Sequence, residues 1–101
     1  MYRVDISDRA DYELDKILAY IANDLDAPQA AASFVDEVYK CYDRLEENPY
    51  VFEECRDPRL QREGYRRAVI KNYVMLYKIY DYELVVVHHF FYSGQDYANL
   101  V

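Results

Sequence analysis

The sequence predicts an α+β fold, a two-layer sandwich with element order β-α-α-β-β-β and a helical hairpin packed on a mostly antiparallel four-stranded sheet. Three observations lead there. From Gly64 to Tyr97 the chain holds three β-branched and aromatic runs separated only by Lys71-Asn72 and Asp81-Tyr82. Breaks that short leave no room for a crossover helix, so the runs pair as an antiparallel meander. Upstream, two segments repeat apolar residues at spacings of three and four, the period of amphipathic helices. Before them, Tyr2 to Ile6 alternates apolar and charged residues as a half-buried strand does.

Taken in order, Tyr2, Val4 and Ile6 share one side of the first strand, which needs a partner in the later sheet. Ser7 or Asp8 caps a helix whose stripe is Ala10, Leu14, Ile17, Leu18, Ile21 and Leu25, with Asp11, Glu13, Asp15 and Lys16 on the wet side. Asp26 or Ala27 restarts a helix with Pro28 in its first turn and Gln29 able to reach back. Ala31, Phe34, Val35, Val38, Tyr42 and Leu45 form its apolar stripe until Asn48-Pro49 stops it. So short a link makes the pair an antiparallel hairpin, and neither helix has enough apolar face to stand alone, so both pack on the sheet. Residues 48–63 are polar and read as an irregular connection with a helical turn near Arg59. After Tyr92, Ser93-Gly94-Gln95 breaks the last strand and a short tail follows.

Asn72 suits a left-handed backbone in the first hairpin, and Asp81 can hydrogen-bond its own backbone in the second. Two-residue turns would set Ile70 opposite Tyr73 and Ile79 opposite Leu84. One side then carries Arg66, Ala68, Met75, Tyr77, Val86, His88 and Phe90, and the other Tyr65, Arg67, Val69, Val74, Leu76, Val85, Val87, His89 and Phe91. A longer turn inverts part of this division, because a one-residue slip flips every side chain. With helices on one face, the other is expected to stay open, a tyrosine- and arginine-bearing surface suited to a partner.

At 101 residues the chain fits a single domain spanning 1–101. A hydrophobic fraction of 52% with 13 tyrosines, 2 glycines and 3 prolines excludes disorder and low complexity. No run approaches a membrane span and MYRVDISD lacks a signal-peptide layout, so a cytoplasmic protein with no membrane association is expected. Cys41 and Cys55 lack metal-ligand spacing and read as reduced structural thiols; no metal and no cofactor is expected. A net charge of −7 opposes a phosphate-gripping surface, so direct sequence-specific nucleic-acid binding is not expected. The only dense basic cluster is Arg56, Arg59, Arg62, Arg66, Arg67 and Lys71.

The helical hairpin with its DAPQAA restart, the phrase GYRRAVIKNYVMLYKI and the ending FFYSGQDYANLV resemble the RelE/ParE superfamily of toxins from type II toxin-antitoxin systems, over nearly the whole chain. The resemblance implies a growth-inhibiting toxin of plasmid-stabilisation type, neutralised by a cognate antitoxin that wraps it. It also implies one of two targets: RelE-like members cut messenger RNA on the ribosome, and ParE-like members poison DNA gyrase.

RelE-type cleavage needs a set of basic residues around the scissile phosphate. Arg66 stands where the resemblance puts the first of them, but Ala68, Val74 and Ser93-Gly94-Gln95 stand where the others belong. The first reading is therefore ParE-like, with Arg66, Arg67, Tyr73, Tyr77 and Phe90 binding the partner. The alternative is a ribosome-dependent endoribonuclease using Arg66, His89 and Tyr92, with Glu63 or His88 conceivable beside them; a non-toxic binding remnant is the third. Alternation along a strand sends His88 and His89 to opposite faces, which allows at most one of them in a site.

Overall fold

A computed structural model describes residues 1–101. Strand β1 (Arg3–Ile6) is followed by helices α1 (Asp8–Ala19) and α2 (Pro28–Glu47), a short helix α3 (Pro58–Arg62), and strands β2 (Arg66–Ile70), β3 (Tyr73–Tyr80) and β4 (Leu84–Tyr92). The sheet order is β1-β4-β3-β2, with β1 parallel to β4 and the other pairs antiparallel.

Each helix begins and ends for a local reason. Ser7 caps α1, its Oγ accepting from Ala10 N–H at 3.0 Å and donating to the His88 carbonyl at 3.2 Å. The helix continues through a π-helical turn, Tyr20–Asp24, before Asp26 reverses the chain at φ 50°. Helix α2 starts with Pro28 in its first turn but without a side-chain cap, so neither Asp26 nor Gln29 performs the expected bond. Asn48 ends α2 and caps the 3-10 turn Pro49–Val51 through Tyr50 N–H. Asp57 caps α3 through Leu60 N–H.

The main core lies between this hairpin and the sheet: Phe34, Val38 and Leu45 of α2 meet Met75, Tyr77, Val85, Val87 and Phe90. Cys41 faces inward in the α2 stripe, where Tyr42 is only partly buried.

The back of the sheet departs from expectation. Leu60, Cys55 and Tyr65 pack on Val74, Leu76 and Phe91 as a second core, and Tyr97, Ala98 and Val101 close over it. Each fully buried aliphatic side chain contributes roughly 1.5–3 kcal/mol, so Leu60, Val74 and Leu76 anchor this cover firmly. The part of that face near the β3–β4 turn stays more open, with Lys78 and Val86 half-buried and Tyr80 exposed, as does Val69 on β2. The expectation of a wholly open face is corrected accordingly.

Register explains the other differences. Ile70 does pair with Tyr73, but Lys71 rather than Asn72 takes the left-handed backbone, at φ 54°. The second turn has three residues, Asp81 to Glu83, so Tyr80 pairs with Leu84 and Ile79 with Val85. Val85 and Val87 thus join the main core, opposite to their expected side. Further along β4, Leu76 pairs with His89 and Tyr77 with Val87, leaving His88 as the extra residue of a β-bulge. The bulge restores the original parity, so Phe90 and Phe91 return to the sides expected for them.

Candidate functional site

The bulge also overturns the separation of the histidines. His88 shares a 2.9 Å hydrogen bond with the Tyr80 hydroxyl and meets the Tyr65 ring edge-on at 5.8 Å. His89 stacks on Phe91 at 5.0 Å. Both therefore lie on the back of the sheet. Burial pushes the His88 imidazole below its ordinary pKa, and the positive charges of Lys78 and His89 add to the effect.

Because β1 stops at Ile6, opposite Val87, the rest of β4 has no strand on the side away from β3. Side chains close that edge instead. Ser7 binds the His88 carbonyl, Gln95 Oε1 accepts from Tyr92 N–H at 2.9 Å, and Glu13 Oε1 accepts from Phe90 N–H at 3.1 Å. Glu13 also accepts from His89 Nδ1 at 3.1 Å and lies 3.4 Å from Arg9 Nε. Placing Glu13 on the wet side of α1 is thus corrected: its side chain is only 10% exposed. Spacing held the signal, since residue 13 lies three from Ala10 and four from Ile17, on the same helical stripe.

Beside this plugged edge runs a cleft of about 500 Å³ lined by Lys16, Ile17, Tyr20, Leu25, Asn72, Tyr73, Phe90, Phe91, Tyr92 and Gln95. A second hollow of about 440 Å³ shares Lys16, Phe90, Phe91 and Gln95 with it and extends to Arg9, Tyr12 and Leu100. The π-helical turn shapes one wall, leaving Tyr20 and Leu25 about half exposed. On the other wall the Tyr73 ring meets Phe34 at 5.1 Å and Tyr92 at 6.0 Å, edge-on in the second case. Burial, with Tyr20 and Tyr92 nearby, raises the Tyr73 phenol's pKa. The Tyr92 ring rests over Gly94, where a Cβ would stand 2.5 Å from Cε2. Lys16 and Arg9 supply positive charge, while the one carboxylate of the lining, Glu13, is taken up by the protein's own groups.

Of the residues expected to touch a partner, Tyr73 and Phe90 line this cleft. Both Phe90 and Tyr77 belong to the main core, 2% and 0% exposed: Phe90 reaches the cleft with little accessible surface, while Tyr77 presents none and donates its hydroxyl proton to the Pro49 carbonyl at 2.6 Å. Arg66 donates to the Phe52 carbonyl at 2.7 Å, lies 3.7 Å from Glu54 and stacks over Tyr50 at 5.1 Å. Arg67, on the opposite face, donates to Glu53 at 2.7 Å. Both arginines tie the 50–54 segment to β2, and Glu63 pairs with Arg59 at 2.8 Å.

The set expected for a nuclease is not assembled. Arg66 shares a face with Tyr77 and His89 lies on the other. Arg66 is in the row of Tyr77 and Val87, and the rise from Val87 to Tyr92 alone is roughly 16 Å at ~3.3 Å per residue. The sequence gives no functional signal for Tyr20, Leu25, Lys16 and Gln95, which line the cleft: Leu25 reads as the end of the α1 stripe, Lys16 as its wet side and Gln95 as part of a strand break. A Tyr and a Leu at the frayed end of a stripe look like ordinary core positions.

A two-layer α+β protein with an aromatic cleft between a helical hairpin and the end of its sheet is the class this geometry defines. The family model described as ParE toxin of type II toxin-antitoxin system, parDE, matches residues 4–97, and the chain belongs to that family. Its fold is similar to a solved structure of the chromosomal ParDE TA system from P. aeruginosa, with a TM-score of 0.71 at 14% identity over 91% of this chain and 96% of that one. No curated protein matches the chain. No helix is long and apolar enough to cross a membrane.

Proposed function

We propose that this ParE-family toxin acts in the cytoplasm by binding rather than by cutting RNA, that DNA gyrase is its target, and that a cognate antitoxin silences it by laying an amphipathic, acidic segment into the cleft. The observation carrying the antitoxin reading is the cleft itself. Half-exposed Tyr20, Leu25 and Tyr92 offer apolar anchors along a groove, beside the positive charge of Lys16 and Arg9. Apolar anchors flanked by one sign of charge suit a helix bearing the opposite sign. The gyrase target rests on kinship with ParE toxins. Messenger cleavage finds little support, because Arg66, Arg67 and Arg59 are each held by a carboxylate or a carbonyl and do not converge.

Induction of the chain without an antitoxin tests the target. Stalled replication and filamentation with intact transcripts are expected, together with inhibited gyrase in a purified supercoiling assay. Rapid loss of translation with cut messages would overturn the reading. For the antitoxin, co-expression of the adjacent short reading frame should restore growth, and Leu25→Asp should weaken the purified complex at least ~10-fold, about 1.4 kcal/mol. An unchanged affinity would remove the cleft as the binding site.

A further inference from the structure

The outer edge of β1 carries a pattern that the cleft does not use. Arg3 N–H donates to the Glu83 carbonyl at 2.8 Å and Ser7 N–H to that of Val87 at 3.0 Å. In a parallel ladder alternate residues bond to the neighbour, so Arg3, Asp5 and Ser7 face β4 while Val4 and Ile6 turn their N–H and C=O groups outward. Tyr2 N–H, which points the same way, is taken by the Glu46 carbonyl at 2.9 Å. A groove of about 280 Å³ runs beside this edge, lined by Val4, Ile6, Tyr39, Tyr42, Asp43 and Glu46.

We propose that β1 pairs antiparallel with β1 of a second copy of this chain, about a two-fold axis through Val4, joining the two sheets into one. The side chains favour that occupant. Val4 and Ile6 pack toward the main core, so Arg3 and Asp5 lie on the back of the sheet, where they form an ion pair at 2.8 Å. With Val4 opposite Val4 of the second copy, each Arg3 stands opposite an Asp5, in the close, non-hydrogen-bonded position of an antiparallel pair.

Other registers fit less well. Centring on Ile6 sets Asp5 opposite Ser7 and runs the second strand into α1, while centring on Tyr2 rests the central pair of hydrogen bonds on an N–H that Glu46 already holds. Val4-centred pairing exchanges hydrogen bonds between the two Val4 residues and leaves both ion-pair partners matched; Tyr2 N–H stays with Glu46, so the paired segment is Arg3 to Asp5 and the strands diverge beyond it. The net charge of −7 on each copy, with Asp43 and Glu46 near the seam, keeps the association weak.

Sedimentation velocity on the full chain from ~1 to ~200 µM should show a monomer becoming a dimer, with a half-point in the ~10–100 µM range of weak pairs. Arg3→Asp and Asp5→Arg should each weaken it at least tenfold, whereas an equimolar mixture of the two variants, and the double exchange R3D/D5R, should dimerise again. Val4→Pro removes an N–H that takes no part in the β1–β4 ladder, so it should abolish the dimer while circular dichroism shows the fold retained, at some cost in melting midpoint from the lost Val4 packing. A monomer at every concentration would overturn the proposal. So would a dimer indifferent to Arg3→Asp whose charge variants gain nothing on mixing.

Discussion

Glu13 of α1 holds the backbone N–H of Phe90 at 3.1 Å, so a helix carboxylate stands where the next strand of the sheet would be. The same carboxylate receives His89 Nδ1 and lies beside Arg9, tying helix, strand and cleft wall together. An unprotected strand edge invites pairing with other chains, and a buried acceptor closes it without a further strand.

Removing that acceptor should be costly. Glu13→Ala leaves a buried N–H without a partner and is expected to destabilise the fold by about 2–3 kcal/mol. Glu13→Gln keeps an acceptor oxygen and should lose less than half as much. Urea unfolding at neutral pH checks both, since the midpoint should fall in the order parent, Gln, Ala.

The lowered pKa of His88 has a definite sign. The unfolded chain takes up a proton near pH 6.5 while the native imidazole resists it, so the unfolded state binds more protons across that window. This group's contribution is present above the unfolded pKa, is lost as pH falls through it, and levels off below the native value. His88→Gln should flatten the drop in urea midpoint between pH 7.5 and 5.5, and the His88 ring protons should titrate by NMR with a midpoint below 6.5.

Gly94 sets the position of Tyr92. A methyl group at residue 94 would sit 2.5 Å from the ring, and φ there is not in the left-handed region, so the ring rather than the backbone must move. Gly94→Ala is therefore expected to change stability by less than ~1 kcal/mol yet weaken antitoxin binding at least ~10-fold. Calorimetry for affinity and a thermal melt for stability separate the two effects.

How far the fold could be read from the chain depended on local length. The two helices, the strand runs, the Ser7 cap and the Ile70–Tyr73 turn all follow from periodicity and short breaks. The β3–β4 turn does not, because its left-handed positions are held by Tyr82 and Glu83, residues with no preference for that conformation. Nothing in an apolar run such as VVVHHFF marks where a bulge falls, yet the bulge at His88 decides which side each histidine takes. The cleft was legible through Tyr73, Phe90 and Tyr92, the residues of its lining that the sequence offers as site candidates. Much of its remaining lining comes from the π-helical turn and from Gln95 folding back, both set by tertiary packing, and the cover on the back of the sheet joins Cys55, Leu60 and Tyr65 to the tail YANLV, too short to show a period.

That cover gives the molecule two unequal layers of protection, each with its own thiol. Cys55 sits in the small core behind the sheet and Cys41 in the large one in front, and burial pushes both thiols up to about 11. Lifting residues 55–65 and 97–101 away would bare Cys55 while Phe52 and the hairpin stay docked on the main core, so alkylation under native conditions should label Cys55 through a partial opening and Cys41 only through global unfolding. The ratio of the two labelling rates would measure how loosely the rear of the molecule is fastened.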